Sequence, residues 1–169
     1  MPSGPREALW APWRMEYISK ADETNREKDL FVALPAMEDD EAAHILYRGE
    51  HAFVLLNAYP YTSGHLMVAP YRKTVDLAGL SDAEHLEIAR LVARCTVWLK
   101  RAYNPQGFNI GINMGRVAGA GLPGHLHQHV IARWGGDVNF VSVVGSVRII
   151  PHAMNVLWDE FTALLAQGG

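Results

Sequence analysis

Histidine occupies every second position in Gly124-His125-Leu126-His127-Gln128-His129-Val130-Ile131, and this spacing constrains the chain more than any other feature. Successive side chains of an extended strand point to opposite faces, so His125, His127 and His129 share one face and Leu126, Gln128 and Val130 take the other. With 8 histidines in 169 residues, composition alone produces such a triplet about two times in a hundred. Three readings compete. A histidine-rich strand edge would need no function. A metal site suits imidazole, but at the strand rise the outer backbone positions lie roughly 13 Å apart, while nitrogens ligating one ion sit about 2 Å from it. A His-x-His pair could chelate only with a third ligand from elsewhere. An extended polyanion laid along the row matches the spacing, with one imidazole attacking phosphorus and its neighbours holding oxygens or passing protons.

Size and charge narrow the setting. A chain of 169 residues, 49% hydrophobic and 20% charged, buries one ordinary core and reads as a single domain. Its formal net charge of −3 provides no general basic field, so a nucleic-acid polymer is not an expected partner and any anion must be held by local donors. Cys95 is the only cysteine, which excludes an intrachain disulfide and a multi-cysteine metal site and fits a reducing, cytoplasmic compartment. Neither a secretory signal nor an apolar run of membrane-spanning length is present, so no membrane partner is expected.

Elements follow from pattern and punctuation. Residues 1–6 read as a loose tail, and Trp10, Trp13, Met15 and Tyr17 around Pro12 read as aromatic plugs for a core or a subunit contact. Residues 19–28 read as a solvated loop or short helix, and the acidic Glu38-Asp39-Asp40-Glu41 as an exposed surface turn. Two apolar runs at 44–48 and 51–57 flank Gly49-Glu50 and predict a hairpin, and 65–69 predicts a third strand ended by Pro70. Ser81-Asp82-Ala83-Glu84 has the capping-box pattern. The helix it starts carries Ile88, Leu91, Val92, Cys95, Leu99 and Ala102 at three- and four-residue intervals and stops at Asn104-Pro105-Gln106-Gly107. Cys95 falls on the buried stripe, as a core residue rather than a nucleophile. Residues 108–113 predict a fourth strand and the triad, running to about Trp134, a fifth. Between them Gly115, Gly119, Gly121 and Gly124 let backbone amides approach an anion, without the Lys-Ser/Thr of a P-loop; a flexible linker is the plainer reading. Residues 141–150 read as extended, and a last helix over 151–167 carries Met154, Leu157, Trp158, Phe161, Leu164 and Leu165. Trp134, Asn139 and Phe140 are candidates for contacting an adenine, including across a subunit boundary, since flat rings stack on bases, with core packing favoured.

The segment from Asn113 to Ile131, a Gly-rich approach followed by His-x-His-x-His and two apolar residues, resembles the signature of the histidine triad (HIT) superfamily of nucleotidyl hydrolases and transferases. A second block, Leu56-Asn57-Ala58-Tyr59-Pro60-Tyr61-Thr62-Ser63-Gly64-His65-Leu66-Met67-Val68, is similar to that family's nucleoside-binding strand pair. The segments 9–18 and 133–140 resemble the bacterial branch that includes diadenosine tetraphosphate phosphorylases and hydrolases. The resemblance implies an α+β, HIT-like fold: an antiparallel sheet of about five strands, one long helix and a C-terminal helix. It divides the single domain into an N-terminal extension (1–42), a core (43–134) and a C-terminal extension (135–169).

For the site, the resemblance implies His127 as the nucleophile, forming a nucleotidyl-histidine intermediate that water or phosphate resolves. It implies His125 and His129 as orienting and phosphate-contacting residues, with exchangeable roles, and His65 behind the triad fixing a tautomer. Asn57 is implied at the ribose, although alone it reads equally as a turn residue, and Asn113, Gly119, Gly121 and Gly124 at the phosphates. Gln128 stands where the family often has an apolar residue, which bears on packing. The family's frequent zinc-binding cysteine pair, near Leu30-Phe31-Val32, is absent, and the motif requires no cofactor beyond a divalent cation that could arrive with substrate. The implied function is cleavage of dinucleoside polyphosphates such as diadenosine tetraphosphate by a homodimer or larger homo-oligomer. A nucleoside phosphoramidase, or a nucleotide-binding protein without useful turnover, remains as an alternative.

Overall fold

The computed structural model describes residues 29–137 and 154–167. Two short helices come first, α1 (Leu30–Ala33) and α2 (Asp40–Ala43). Each has an aspartate at its N-cap: Asp29 accepts from the Phe31 amide and Asp39 from the Ala42 amide. The acidic run is exposed at Glu38, Asp39 and Glu41, as expected of a surface turn, and it also opens a short helix. A carboxylate can take an orphan amide at the positive end of a helix, and Asp40 and Glu41 occupy that first turn. Arg48 holds this segment to the sheet by donating to Asp40 and to the carbonyls of Pro35 and Met37.

The predicted hairpin forms from β1 (Ile45–Arg48) and β2 (Ala52–Leu56), and β3 (Leu66–Pro70) pairs with β2 in the register Phe53↔Ala69, Leu55↔Met67. The tight turn of this hairpin is held from outside: the Glu87 carboxylate accepts from the amides of Glu50, His51 and Ala52. Two more strands, β4 (Gly107–Ile112) and β5 (Gln128–Arg133), complete a five-stranded antiparallel sheet in the order β1-β2-β3-β5-β4. The long helix α3 (Asp82–Tyr103) begins with the expected reciprocal capping box of Ser81 and Glu84. It ends where Asn104 turns left-handed at φ 46°.

Alternation along the strands divides the apolar residues between two faces. Ala52, Val54, Leu56, Leu66, Val68, Val130 and Ala132 pack against Ile88, Leu91, Cys95, Trp98 and Leu99 of α3. Phe53, Leu55, Met67 and Ala69 pack on the other face with Phe31, Ala43 and Ile45. Each large side chain buried this completely contributes roughly 1.5–3 kcal/mol relative to exposure. The C-terminal helix α4 (Met154–Ala166) joins the α3 side through Leu157 and Phe161, with a 2.5 Å hydrogen bond from the Tyr103 hydroxyl to Glu160. The chain returns into β3 through Gly64, at φ 70°, where a Cβ would lie 2.9 Å from Leu99 Cδ2, so a side chain here would strain the backbone and displace the Leu99 and Tyr103 side chains.

Trp134 packs against the α3-side core and donates from its indole to the Tyr103 carbonyl at 3.4 Å. Trp10, Trp13, Met15, Tyr17, Asn139, Phe140, the extended piece at 141–150 and a helix start at Pro151 lie outside the described residues. Among the described residues no helix is long and apolar enough to cross a membrane.

Candidate active site

The triad is not one strand. Only His129 lies within β5, which begins at Gln128, and His125 and His127 precede it. The ladder with β3 runs only from Leu66↔Val130 to Val68↔Gln128. Further along β3 stands Pro70, which has no amide to donate, and β4 likewise ends opposite Gln128 at Ile112. The segment is tied elsewhere, with the Leu126 amide donating to the Thr74 carbonyl at 2.7 Å. The three rings are nonetheless buried, His125 at 2% exposure, His127 at 6% and His129 at 8%, which removes the exposed-edge reading. They lie on the sheet face opposite α3, where the Phe31 ring stacks on His127 at 4.7 Å and contacts His125 at 5.3 Å.

Hydrogen bonds assign a role to each imidazole. His65 Nδ1 faces two donors, the Tyr61 amide at 3.1 Å and Asn57 Nδ2 at 3.3 Å, so it accepts and the ring proton sits on Nε2. That proton is directed at His129 Nδ1, 2.9 Å away. His129 therefore accepts at Nδ1 and carries its own proton on Nε2, a donor suited to an anionic oxygen. The other Asn57 amide atom, Oδ1, accepts from the Tyr59 amide at 2.9 Å, and the Tyr61 ring stacks on His65 at 4.9 Å. The nucleoside-block residues thus support His129 from behind.

His127 is held the opposite way round. Its Nδ1 lies 2.9 Å from the His125 main-chain carbonyl, an acceptor only, so Nδ1 bears the proton and Nε2 the lone pair. Burial pushes the His127 pKa below its ordinary value; the bond to the His125 carbonyl opposes this shift, and the charge of His125 adds to it. A neutral ring with a bare Nε2 is what nucleophilic attack requires. His127 and His129 stand edge to face, with ring centres 4.9 Å apart.

Both nitrogens of His125 face acceptors: Nε2 the Pro70 carbonyl at 2.9 Å and Nδ1 the Asp29 carboxylate at 3.1 Å. Its side chain is thereby committed to protein partners rather than aligned with its two neighbours. Asn113, one residue beyond β4, is half-buried, and Gly119 folds back toward it: a Cβ on Gly119, at φ 91°, would lie 3.8 Å from Asn113 Nδ2. Gly119, Gly121 and Gly124 are exposed, leaving their backbone accessible. Gln128 is half-buried on the α3 side, where it lines a cavity of about 300 Å³ with Val68, Leu80, Ile88, Val92 and Leu126. His127 and His85 also line this largely apolar space, so it reaches the triad segment from the α3 side.

Sequence reasoning missed Asp29, Phe31 and Tyr61 as supports of the histidines. Asp29 is 96 residues from His125, and locally it carries only an N-cap signal. Cys95 is buried on the sheet-facing side of α3, where burial pushes its thiol pKa up, and no group of three or more His, Cys, Asp or Glu with metal-holding geometry occurs among the described residues.

Comparison with known proteins adds four findings. The family model of the HIT domain matches residues 38–135. A Mycobacterium tuberculosis protein named AP-4-A phosphorylase is 38% identical over 152 residues, covering 86% of this chain and 77% of that protein. A Saccharomyces cerevisiae bis(5'-adenosyl)-triphosphatase is 30% identical over 94 residues, 53% of this chain and 44% of that protein. Among solved structures, a Zn-bound histidine triad family protein from Mycobacterium smegmatis superposes with a TM-score of 0.66 at 26% identity, covering 83% of this chain and 95% of that one.

Proposed function

The chain belongs to the HIT domain family, and on that premise we propose that it cleaves dinucleoside polyphosphates such as diadenosine tetraphosphate through a nucleotidyl-His127 intermediate. The observation that carries this reading is the hydrogen bond from His127 Nδ1 to the His125 carbonyl, which leaves Nε2 bare in a buried, neutral ring. In the first step Nε2 attacks the α-phosphorus; a P–N bond forms, the anhydride P–O bond breaks and ATP departs. The His129 Nε2–H binds phosphate oxygen or protonates the leaving group. His65, held by Asn57 and Tyr61, keeps that proton on Nε2. Asn57 also takes the ribose, and Asn113 with the amides around Gly119, Gly121 and Gly124 takes the phosphate chain.

In the second step an oxygen of inorganic phosphate attacks the nucleotidyl-histidine, releasing ADP and restoring the ring. Phosphate is favoured over water because the relative named phosphorylase is alike over 86% of this chain, whereas the triphosphatase is alike over 53%. The reaction as written needs no resident cofactor; a divalent cation would come in with the phosphate chain. We place it in the cytoplasm, where the lone cysteine stays reduced.

We further propose a homodimer. Among the described residues nothing pairs with the outer side of β4, the sheet's edge strand, and Ile110 on it and Leu86 and Val97 on α3 are exposed. Sedimentation that gave a monomer at micromolar concentration would remove this point alone.

The deciding experiment is product analysis of diadenosine tetraphosphate turnover with and without inorganic phosphate. ADP plus ATP formed only with phosphate is the expected result. AMP plus ATP without phosphate would make the protein a hydrolase. No turnover of either kind would overturn the reading and bring forward phosphoramidates or binding without catalysis.

A further inference from the structure

The family model begins at residue 38, yet two side chains that grip the triad precede it. Asp29 lies 3.1 Å from His125 Nδ1, and Phe31, two residues on, is fully buried against the His127 and His125 rings. The same Asp29 oxygen caps α1 by accepting the Phe31 amide at 3.2 Å, so one carboxylate sets both contacts. Its other oxygen, Oδ2, pairs with Lys73 Nζ at 3.1 Å, which ties the segment to the loop after β3.

The consequence for the reaction runs through the backbone. The His125 ring is pinned between Asp29 on one side and the Pro70 carbonyl on the other. The main-chain carbonyl of that same residue receives the His127 Nδ1 proton. A rigidly held His125 ring therefore fixes the carbonyl that decides which nitrogen of His127 is bare. Without Asp29 one of the two anchors is lost, and the chain here has few others, because β5 has not yet begun. The Leu126 amide bond to Thr74 is what remains nearby. An imidazole whose carbonyl acceptor wanders samples both tautomers, and in the wrong one Nε2 bears a proton and cannot attack.

We propose that Asp29 is a positioning residue: through His125 it sets the tautomer and aim of the His127 nucleophile, so that a segment outside the matched domain completes the site. The kinetic part of the test rests on the cleavage proposed above; the spectroscopic part does not. The proteins to compare are Asp29→Ala, Asp29→Asn and Lys73→Met. The readouts are ¹⁵N imidazole NMR of ligand-free protein, which distinguishes Nδ1–H from Nε2–H, and kcat and KM for diadenosine tetraphosphate.

Asp29→Ala is expected to turn the single His127 tautomer into a mixture and to lower kcat about tenfold, with KM changed less than twofold. Asp29→Asn retains an oxygen acceptor for both His125 and the Phe31 amide and should recover kcat to within about threefold of the parent. It is also the variant to rely on if the alanine protein does not fold. Lys73→Met removes the ion pair but touches no imidazole, and should leave both readouts unchanged. An unaltered His127 tautomer in Asp29→Ala would overturn the proposal whatever the substrate, as would a Lys73→Met protein as slow as Asp29→Ala. A changed tautomer in a protein whose parent shows no turnover would retain the positioning role and count only against the assigned reaction.

Discussion

The two faces of the sheet are built by different rules. Toward α3 the contacts are apolar and many: Trp98, Leu99, Cys95 and Leu91 meet Val54, Leu56, Val68 and Val130, and no single hydrogen bond decides the arrangement. The other face has its own apolar cluster around Phe31, Phe53 and Leu55, and beside it a short run of directed bonds orients the histidines: Asn57 and Tyr61 to His65, His65 to His129, His127 to the His125 carbonyl, His125 to Asp29 and Pro70. Dispersion and apolar burial are non-directional, so the first face tolerates small displacements. A tautomer is all or nothing. The comparison teaches that apolar packing holds both sides of the five strands while the directed bonds of the histidines occupy one, and substitutions should separate the two contributions.

The sharpest separation is at His127. Removing its ring in His127→Ala should reduce turnover on the order of a thousandfold or more while leaving the thermal midpoint nearly unchanged, and a variant with full activity would sink the covalent mechanism. Its counterpart is Trp98→Ala, buried to 1% exposure. Denaturant unfolding should show a loss of roughly 3–5 kcal/mol, with kcat per folded molecule unchanged. If that variant lost kcat first, the two faces would not be independent. His65→Leu tests the relay, since it keeps a comparable volume but withdraws the donor to His129; a kcat lower by roughly tenfold to a hundredfold, with little change in stability, is expected. Ser81→Ala deletes the capping hydroxyl of α3 and should cost about 1 kcal/mol of stability without touching kinetics.

Acidity sharpens the same contrast. The Glu84 carboxyl is lowered to about 2 from its ordinary 4.5, first by the Arg72 guanidinium and then by Ser81, against the opposing effect of burial. A depressed carboxylate stabilises the fold above its ordinary value and loses that contribution as pH falls toward about 2. Glu84→Gln should accordingly melt lower at pH 7, and the gap should close on acidification. His127 is also depressed, by burial, with His125 and His129 as its titratable neighbours and Phe31 over its ring. The neutral nucleophile therefore persists below pH 6.5, and the acid limb of kcat/KM should lie there. Phe31→Ala admits water and should move that limb upward, toward 6.5.

Much of this was written in local sequence. The capping box at Ser81, the three-and-four spacing that buries Cys95 and Leu99, the hairpin about Gly49-Glu50 and the α+β class all follow from neighbours within a few positions, because helix and strand periodicities are local properties. The alternating histidines and the Asn57–His65 block marked the site for the same reason.

What folding alone decided lies between distant residues. The strand order β1-β2-β3-β5-β4 places His65 beside His129 across 64 positions. The end of the β3–β5 ladder near Pro70 releases His125 and His127 from the strand that their spacing suggested. Asp29 and Phe31 reach the triad from the other end of the described chain, through contacts with no period to betray them. Sequence singled out the imidazoles; only the tertiary structure decided how they meet and which nitrogen of each carries the proton. That choice is made by the partner a ring meets in space, and those partners come from elsewhere in the chain.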